Sequence, residues 1–118
     1  MENELNIDGL GISIIVLETI INRAVTEVEG VAGIGGGNIV RTTKARFGSD
    51  RASSTGIDVG LTDNAFDISV RMQARYGYRL TEVANNVREA VNNAIMSQVG
   101  IGVNYVDIHV DGIVFPAE

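Results

Sequence analysis

Residues 57–75 read IDVGLTDNAFDISVRMQAR, and this stretch decides the fold. Ile57, Val59 and Leu61 alternate with Asp58, Gly60 and Thr62, and Phe66, Ile68, Val70, Met72 and Ala74 alternate with Asp67, Ser69, Arg71, Gln73 and Arg75. A period of two puts one set of side chains on a buried face and the other on an open one, which is the signature of a half-covered strand. Between the two runs stands Asp63-Asn64, a pair that tolerates the left-handed backbone of a tight reversal, so the segment reads as a β-hairpin. A sheet that is apolar on one face needs a second layer over it.

The flanking sequence supplies that layer at a helical period. Upstream, Ser13 precedes Ile14, Leu17, Ile20, Ile21, Ala24, Val25 and Val28, which predicts a helix over 14–28 with Ser13 as its N-cap and Gly30 as its break. Ile15 and Val16 fall off this stripe, so the first turn is apolar nearly all round and asks for a second cover. Downstream of Gly77, the series Leu80, Val83, Ala84, Val87, Ala90, Val91, Ala94 and Ile95 predicts a second helix running to about Gln98, ended by Gly100. Val106, Ile108 and Val110 then alternate with Asp107, His109 and Asp111 in a last strand. Gly112 shifts the apolar positions to Ile113 and Phe115, as a β-bulge would.

The remaining elements are short. A strand is expected within residues 5–12, others at Val31–Ile34 and Ile39–Val40 around the run Gly35-Gly36-Gly37-Asn38, and an exposed loop over 42–56 with Phe47 as its large apolar residue. The order is roughly β-α-β-β-β-α-β. It predicts an α+β domain occupying residues 1–118, a two-layer sandwich of one mixed or antiparallel sheet with both helices on one face. The other face would carry Asp58, Asp67, Ser69, Arg71, Gln73, Arg75, Asp107, His109 and Asp111, with opposite charges able to pair across strands.

Composition removes functions without selecting one. The 118 residues are 45% hydrophobic and 20% charged, enough for one core. With no cysteine, thiol catalysis, thiolate zinc sites and iron-sulfur clusters are excluded. With no tryptophan, three tyrosines and three phenylalanines, a platform for stacking bases or sugars is disfavoured. A net charge of -6 opposes nucleic acid and anionic membranes unless a local basic patch intervenes. Met1–Asn6 is acidic where a secretory signal is basic, and the longest apolar stretch is Ile14–Leu17, so the expected location is the cytoplasm.

Few residues suggest chemistry. The glycine run resembles a phosphate loop but lacks the spacing of a dinucleotide fingerprint and the Lys-Ser/Thr of a triphosphate loop, leaving a turn as the preferred reading. Arg41, Lys44, Arg46 and Arg51 are four of the nine basic residues and form the one credible positive patch, a possible contact for a partner or an anion. A solvated loop is the preferred reading of these residues. Asp107, His109 and Asp111 share a strand face, yet the only histidine cannot join a multi-histidine metal site, and alternation on a solvent face accounts for all three. No catalytic, cofactor-binding or metal residues are assigned. The outer side of the second helix carries Asn85, Asn86, Asn92, Asn93 and Met96, a weakly charged surface that, with Ile15 and Val16, is the candidate interface.

Several segments taken together resemble the alkaline shock protein family. They are Ile12-Ser13 opening a helix that ends Glu27-Val28-Glu29-Gly30-Val31, then Tyr76-Gly77 before Leu80-Thr81-Glu82-Val83-Ala84, and Val103–Gly112 in the form V-x-x-V-x-I-x-V-x-G. The match runs from about residue 10 to 115, and Arg88 stands where the family often has glutamine. The resemblance implies a non-enzymatic bacterial protein of the cell-envelope stress response, cytoplasmic and at most peripheral to the inner face of the membrane. It implies self-association into a homo-oligomer and a small membrane-anchored protein as partner, with no cofactor and no small-molecule substrate. The alternative reading is an anion or nucleic-acid binding module using the basic loop 41–51.

Overall fold

The second strand of the expected hairpin is the middle of the molecule. In chain order the elements are β1 (Glu4–Ile7), β2 (Leu10–Ser13), α1 (Ile14–Thr26), β3 (Val31–Ile34), β4 (Ile57–Thr62), β5 (Ala65–Arg75), α2 (Leu80–Gln98) and β6 (Val103–Val114). The computed structural model describes residues 4–7, 9–35 and 56–116. Along one edge of β5, residues 65–70 pair antiparallel with β4 and residues 72–74 pair antiparallel with β3. Along the other edge, β6 pairs in parallel from Phe66 to Arg75. The sheet is therefore mixed, and the parallel pairing is closed by the β5–α2–β6 crossover that a parallel neighbour requires.

The hairpin turn forms as its residues predict. Asp63 and Asn64 have φ values of 54° and 62°, so both central residues are left-handed, the geometry that matches the twist of the flanking strands. Phe66, Ile68, Val70, Met72 and Ala74 are completely buried. Above them lie Leu17, Ile21 and Val25 of α1 and Val83, Val87, Val91 and Ile95 of α2, with no buried polar or charged residue among those described. Side chains arriving from one strand at period two and from two helices at period 3.6 thus meet in one apolar layer, and that burial is the main force holding the fold.

Helix limits follow local chemistry. The Ser13 hydroxyl accepts a hydrogen bond from the Ile15 N–H at 3.1 Å, capping α1. The expected 14–28 span shortens to Ile14–Thr26, with Glu27 as the C-cap, while Val28 carries the apolar stripe on as a half-buried residue outside the helix. Gly30 enters the sheet with φ of 98°, and a Cβ there would lie 2.8 Å from Val83 Cγ2 and 3.1 Å from the Tyr78 ring. Glycine is needed for both conformation and space. Leu80 departs from its expected place in the core. As the first residue of α2 it overhangs the end of the sheet and remains 40% exposed, because a helical period does not register where the surface beneath the helix stops.

The amino-terminal segment forms two strands where a single one was expected. Gly9 at φ of 82° allows the chain to reverse, and β1 and β2 pair antiparallel in a sheet of their own, with Ile7 and Ile12 buried. The expected bulge near Gly112 is present: Met72 pairs with Val110 and Gln73 with Gly112, so Asp111 is the additional residue. A second irregularity skips Asn104 between Val103 and Tyr105. Both additional residues use their side chains. Asn104 donates to the Thr62 carbonyl at 3.1 Å and to Asp67 at 2.9 Å, and Asp111 accepts from Arg71.

Strands β3 and β4 occupy successive halves of one edge. Gly35 N–H donates to the Arg71 carbonyl and the Arg71 N–H donates to the Gly56 carbonyl, each at 2.8 Å, so the chain leaves and rejoins the sheet across a single residue of β5. The strand expected at Ile39–Val40, the glycine turn at 36–38 and the loop with Phe47 lie outside the described residues.

Candidate interaction surface

At the end of the sheet where β5 finishes, apolar side chains accumulate without a cover among the described residues. Strand β5 ends at Arg75, Gly77 turns with φ of 104°, and α2 begins at Leu80, so Tyr76 and Tyr78 are carried on a short connection outside both layers. Beyond its bulge, β6 brings Ile113 opposite Ala74 and Val114 opposite Arg75, and the Tyr76 N–H donates to the Val114 carbonyl at 2.9 Å. Phe115 consequently stacks on Tyr76, with ring centroids 4.7 Å apart and planes 22° from parallel. The Tyr78 hydroxyl donates to Glu29 at 3.2 Å, which fixes its ring above Gly30. Tyr76 and Phe115 are 61% and 64% exposed, and Tyr78, Leu80, Ile113 and Val114 are each above a third. Exposed apolar side chains gathered at one end of the sheet, two of them stacked on each other, differ from the isolated exposed leucine found on any protein surface and mark a contact site.

The expected interface residues distribute around the molecule. Ile15 and Val16 are 65% and 49% exposed at the start of α1. Asn85, Asn86, Asn92, Asn93 and Met96 are all exposed on α2. Asn85 and Asn92 line a groove of about 550 Å³ together with Arg88, Glu89 and the β6 residues Val103–Val106, whereas Asn86 and Asn93 do not contribute to it. The Arg88 Nε donates to the Val106 carbonyl at 3.1 Å and its Nη1 to Asn85 Oδ1 at 2.7 Å. Arg88 thereby occupies a backbone acceptor of β6 and ties α2 to that strand.

On the open sheet face one pair of opposite charges, Arg71 and Asp111, meets across strands. Arg71 Nη1 donates to both carboxylate oxygens of Asp111 at 3.0 Å, in a partly exposed pair. No cluster of three or more metal-ligating side chains occurs among the described residues. Arg41, Lys44, Arg46 and Arg51 lie outside the described residues. The aromatic end was absent from the sequence-derived interface, although Tyr76, Tyr78 and Phe115 are half of the three tyrosines and three phenylalanines of the chain. Their convergence depends on β5 and β6 finishing side by side, which no local pattern encodes.

Fold and surface together define an α+β domain with a buried apolar layer and an uncovered aromatic end. The chain belongs to the alkaline shock protein 23 family, described as having a cell envelope-related function, whose family model matches residues 2–115. Among curated relatives it resembles the uncharacterized protein YqhY of Bacillus subtilis, with 31% identity over 100 residues, spanning 85% of this chain and 73% of the relative. It also resembles two uncharacterized proteins of Streptococcus pyogenes serotype M6. Spy1535 is 34% identical over 84% of this chain and 74% of its own, and Spy1614 is 27% identical over 83% and 81%. No solved structure matches the chain. Among the described residues no helix is long and apolar enough to cross a membrane.

Proposed function

We propose that this protein is a non-catalytic interaction protein of the cell-envelope stress response. In this reading it works in the cytoplasm, associates with itself and binds a protein partner at the inner face of the membrane. The observation that carries the reading is the aromatic end, where six large apolar side chains are more than a third exposed and held in place by backbone pairing and by the Glu29 hydrogen bond. Membership of a family with a cell envelope-related function supports the setting.

Light scattering over a concentration series tests self-association, with an average mass that rises with concentration as the expected result. A mass fixed at the monomer value throughout would overturn that part of the reading. Co-purification from the native cell with and without detergent tests the partner. A membrane-anchored protein recovered only when detergent is present is expected, and its absence from both preparations would count against the location at the membrane.

A further inference from the structure

Strand β6 forms a long open edge of the sheet. Among the described residues it pairs with β5 and with no other strand. The direction of its main-chain groups follows from β5. Arg71 spends its N–H on Gly56 and its carbonyl on Gly35, at the edge shared by β3 and β4, so the groups of its neighbours Val70 and Met72 face β6. The bonds of a parallel ladder are slanted, and from Val70 and Met72 they reach Asp107, His109 and Asp111, the neighbours of the register partners Ile108 and Val110. The N–H and carbonyl groups of Val106, Ile108 and Val110 are left facing outward.

The Arg88 contact agrees with that direction. Its Nε donates to the Val106 carbonyl at 3.1 Å, in the position that an N–H of a further strand would take. The same arginine lines the groove of about 550 Å³ beside the edge, with Asn85, Glu89 and Asn92 on the helix side and residues 103–106 on the strand side. From Asn85 to Asn92 the helix rises about 10 Å, and from Val103 to Val106 the strand advances about 10 Å, so the two walls run together for the length of a few extended residues. A groove of this volume holds a short stretch of chain and not a folded layer. An edge of unpaired donors and acceptors flanked by a helix is a template for an added strand.

We propose that the β6 edge docks an extended segment of another protein, which joins the sheet as a further strand beside α2. A peptide N–H replaces Arg88 Nε at the Val106 carbonyl, and the arginine yields that position. Side chains of an added strand alternate between the two faces of the sheet. On the helix side they meet the half-buried Ile108 and Val110, so apolar residues fit there. On the open side they pass Tyr105, Asp107 and His109. Asp107 is exposed and has no ion pair among the described residues, and a chain of net charge -6 favours a basic partner. The occupant is therefore a segment that alternates apolar and basic residues. This site is separate from the aromatic end and goes beyond the self-association proposed above.

A short capped peptide alternating valine and lysine is the probe, titrated into the full-length protein while amide exchange is followed residue by residue. Binding should slow exchange at Ile108 and Val110, and it should weaken several-fold with added salt and in Asp107→Lys. Two further peptides, N-methylated at the valines or at the lysines, locate the pairing. Successive N–H groups of a strand face opposite edges, and only one edge of the peptide meets β6, so one methylated peptide should bind about tenfold more weakly while the other binds like the parent. Ile108→Pro removes an outward N–H and no ladder bond, and it should weaken the parent peptide as well. If that variant fails to fold, the methylated pair still decides. Absence of binding, equal affinity for the two methylated peptides, or protection at Tyr76 and Phe115 without Ile108 and Val110 would overturn the proposal and leave the reading of the aromatic end standing. Protection of Ile108 and Val110 in the free protein that grows with its concentration would overturn it too, since a second copy would then fill the edge.

Discussion

The middle of β5 and its end teach opposite lessons from one continuous strand. From Phe66 to Ala74 every inward side chain is fully buried, flanked on both edges by strands and covered by two helices. One residue past Arg75 the same chain presents Tyr76 at 61% exposure, stacked on Phe115. Apolar character at Phe66 is used within the fold, whereas apolar character at Tyr76 remains available to something outside it. Substitutions should therefore separate into those that change stability and those that change association.

The largest expected effect is Phe66→Ala. Phe66 is among the largest fully buried side chains, and its truncation should cost about 3–5 kcal/mol and lower the melting temperature by roughly 10 °C or more. A loss below about 1 kcal/mol by thermal or urea melting would break the contrast. Next is Gly30→Ala, which forces φ of 98° on an L-residue and drives a Cβ toward Val83 and the Tyr78 ring. About 1–3 kcal/mol is expected, and a crystal structure should find Tyr78 displaced.

How much of this was legible in the sequence follows from the range of each signal. The hairpin was readable because alternation and the Asp63-Asn64 turn are local, and the core residues of α2 were readable because four turns of consistent period leave few alternatives. Leu80 was misplaced because periodicity reports a face and does not report where the neighbouring sheet stops. The sharing of one β5 edge by β3 and β4 was illegible, since a four-residue strand carries little pattern and the pairing of Gly35 and Gly56 with Arg71 spans distant parts of the chain. The aromatic end was illegible for the same reason: it arises from β5, β6 and the entry to α2, none of which predicts the others' ends.

Smaller effects sharpen the comparison. Because Gly35 and Gly56 bond to the same residue of β5, the sheet edge holds together across the excursion, and replacing residues 42–55 with a short Gly-Ser linker should change stability by about 1 kcal/mol or less. A loss of roughly 3 kcal/mol, shared by Phe47→Ala, would show instead that Phe47 docks into the core. Smallest is Arg71→Ala. The partly exposed pair with Asp111 should contribute between zero and about 1 kcal/mol, declining with salt, so a double-mutant cycle with Asp111→Ala should give a coupling in that range.

The central claim is that the uncovered apolar end is a contact surface and not part of the stability of the fold. Sedimentation velocity of the wild type beside a Tyr76→Asp, Phe115→Asp double variant, over one concentration series and with melting curves recorded on the same samples, tests it most directly. The account predicts matching melting temperatures, a wild type whose sedimentation coefficient rises with concentration, and a variant that stays at the monomer value. A variant that assembles as the wild type does, or a wild type that never leaves the monomer, would contradict it.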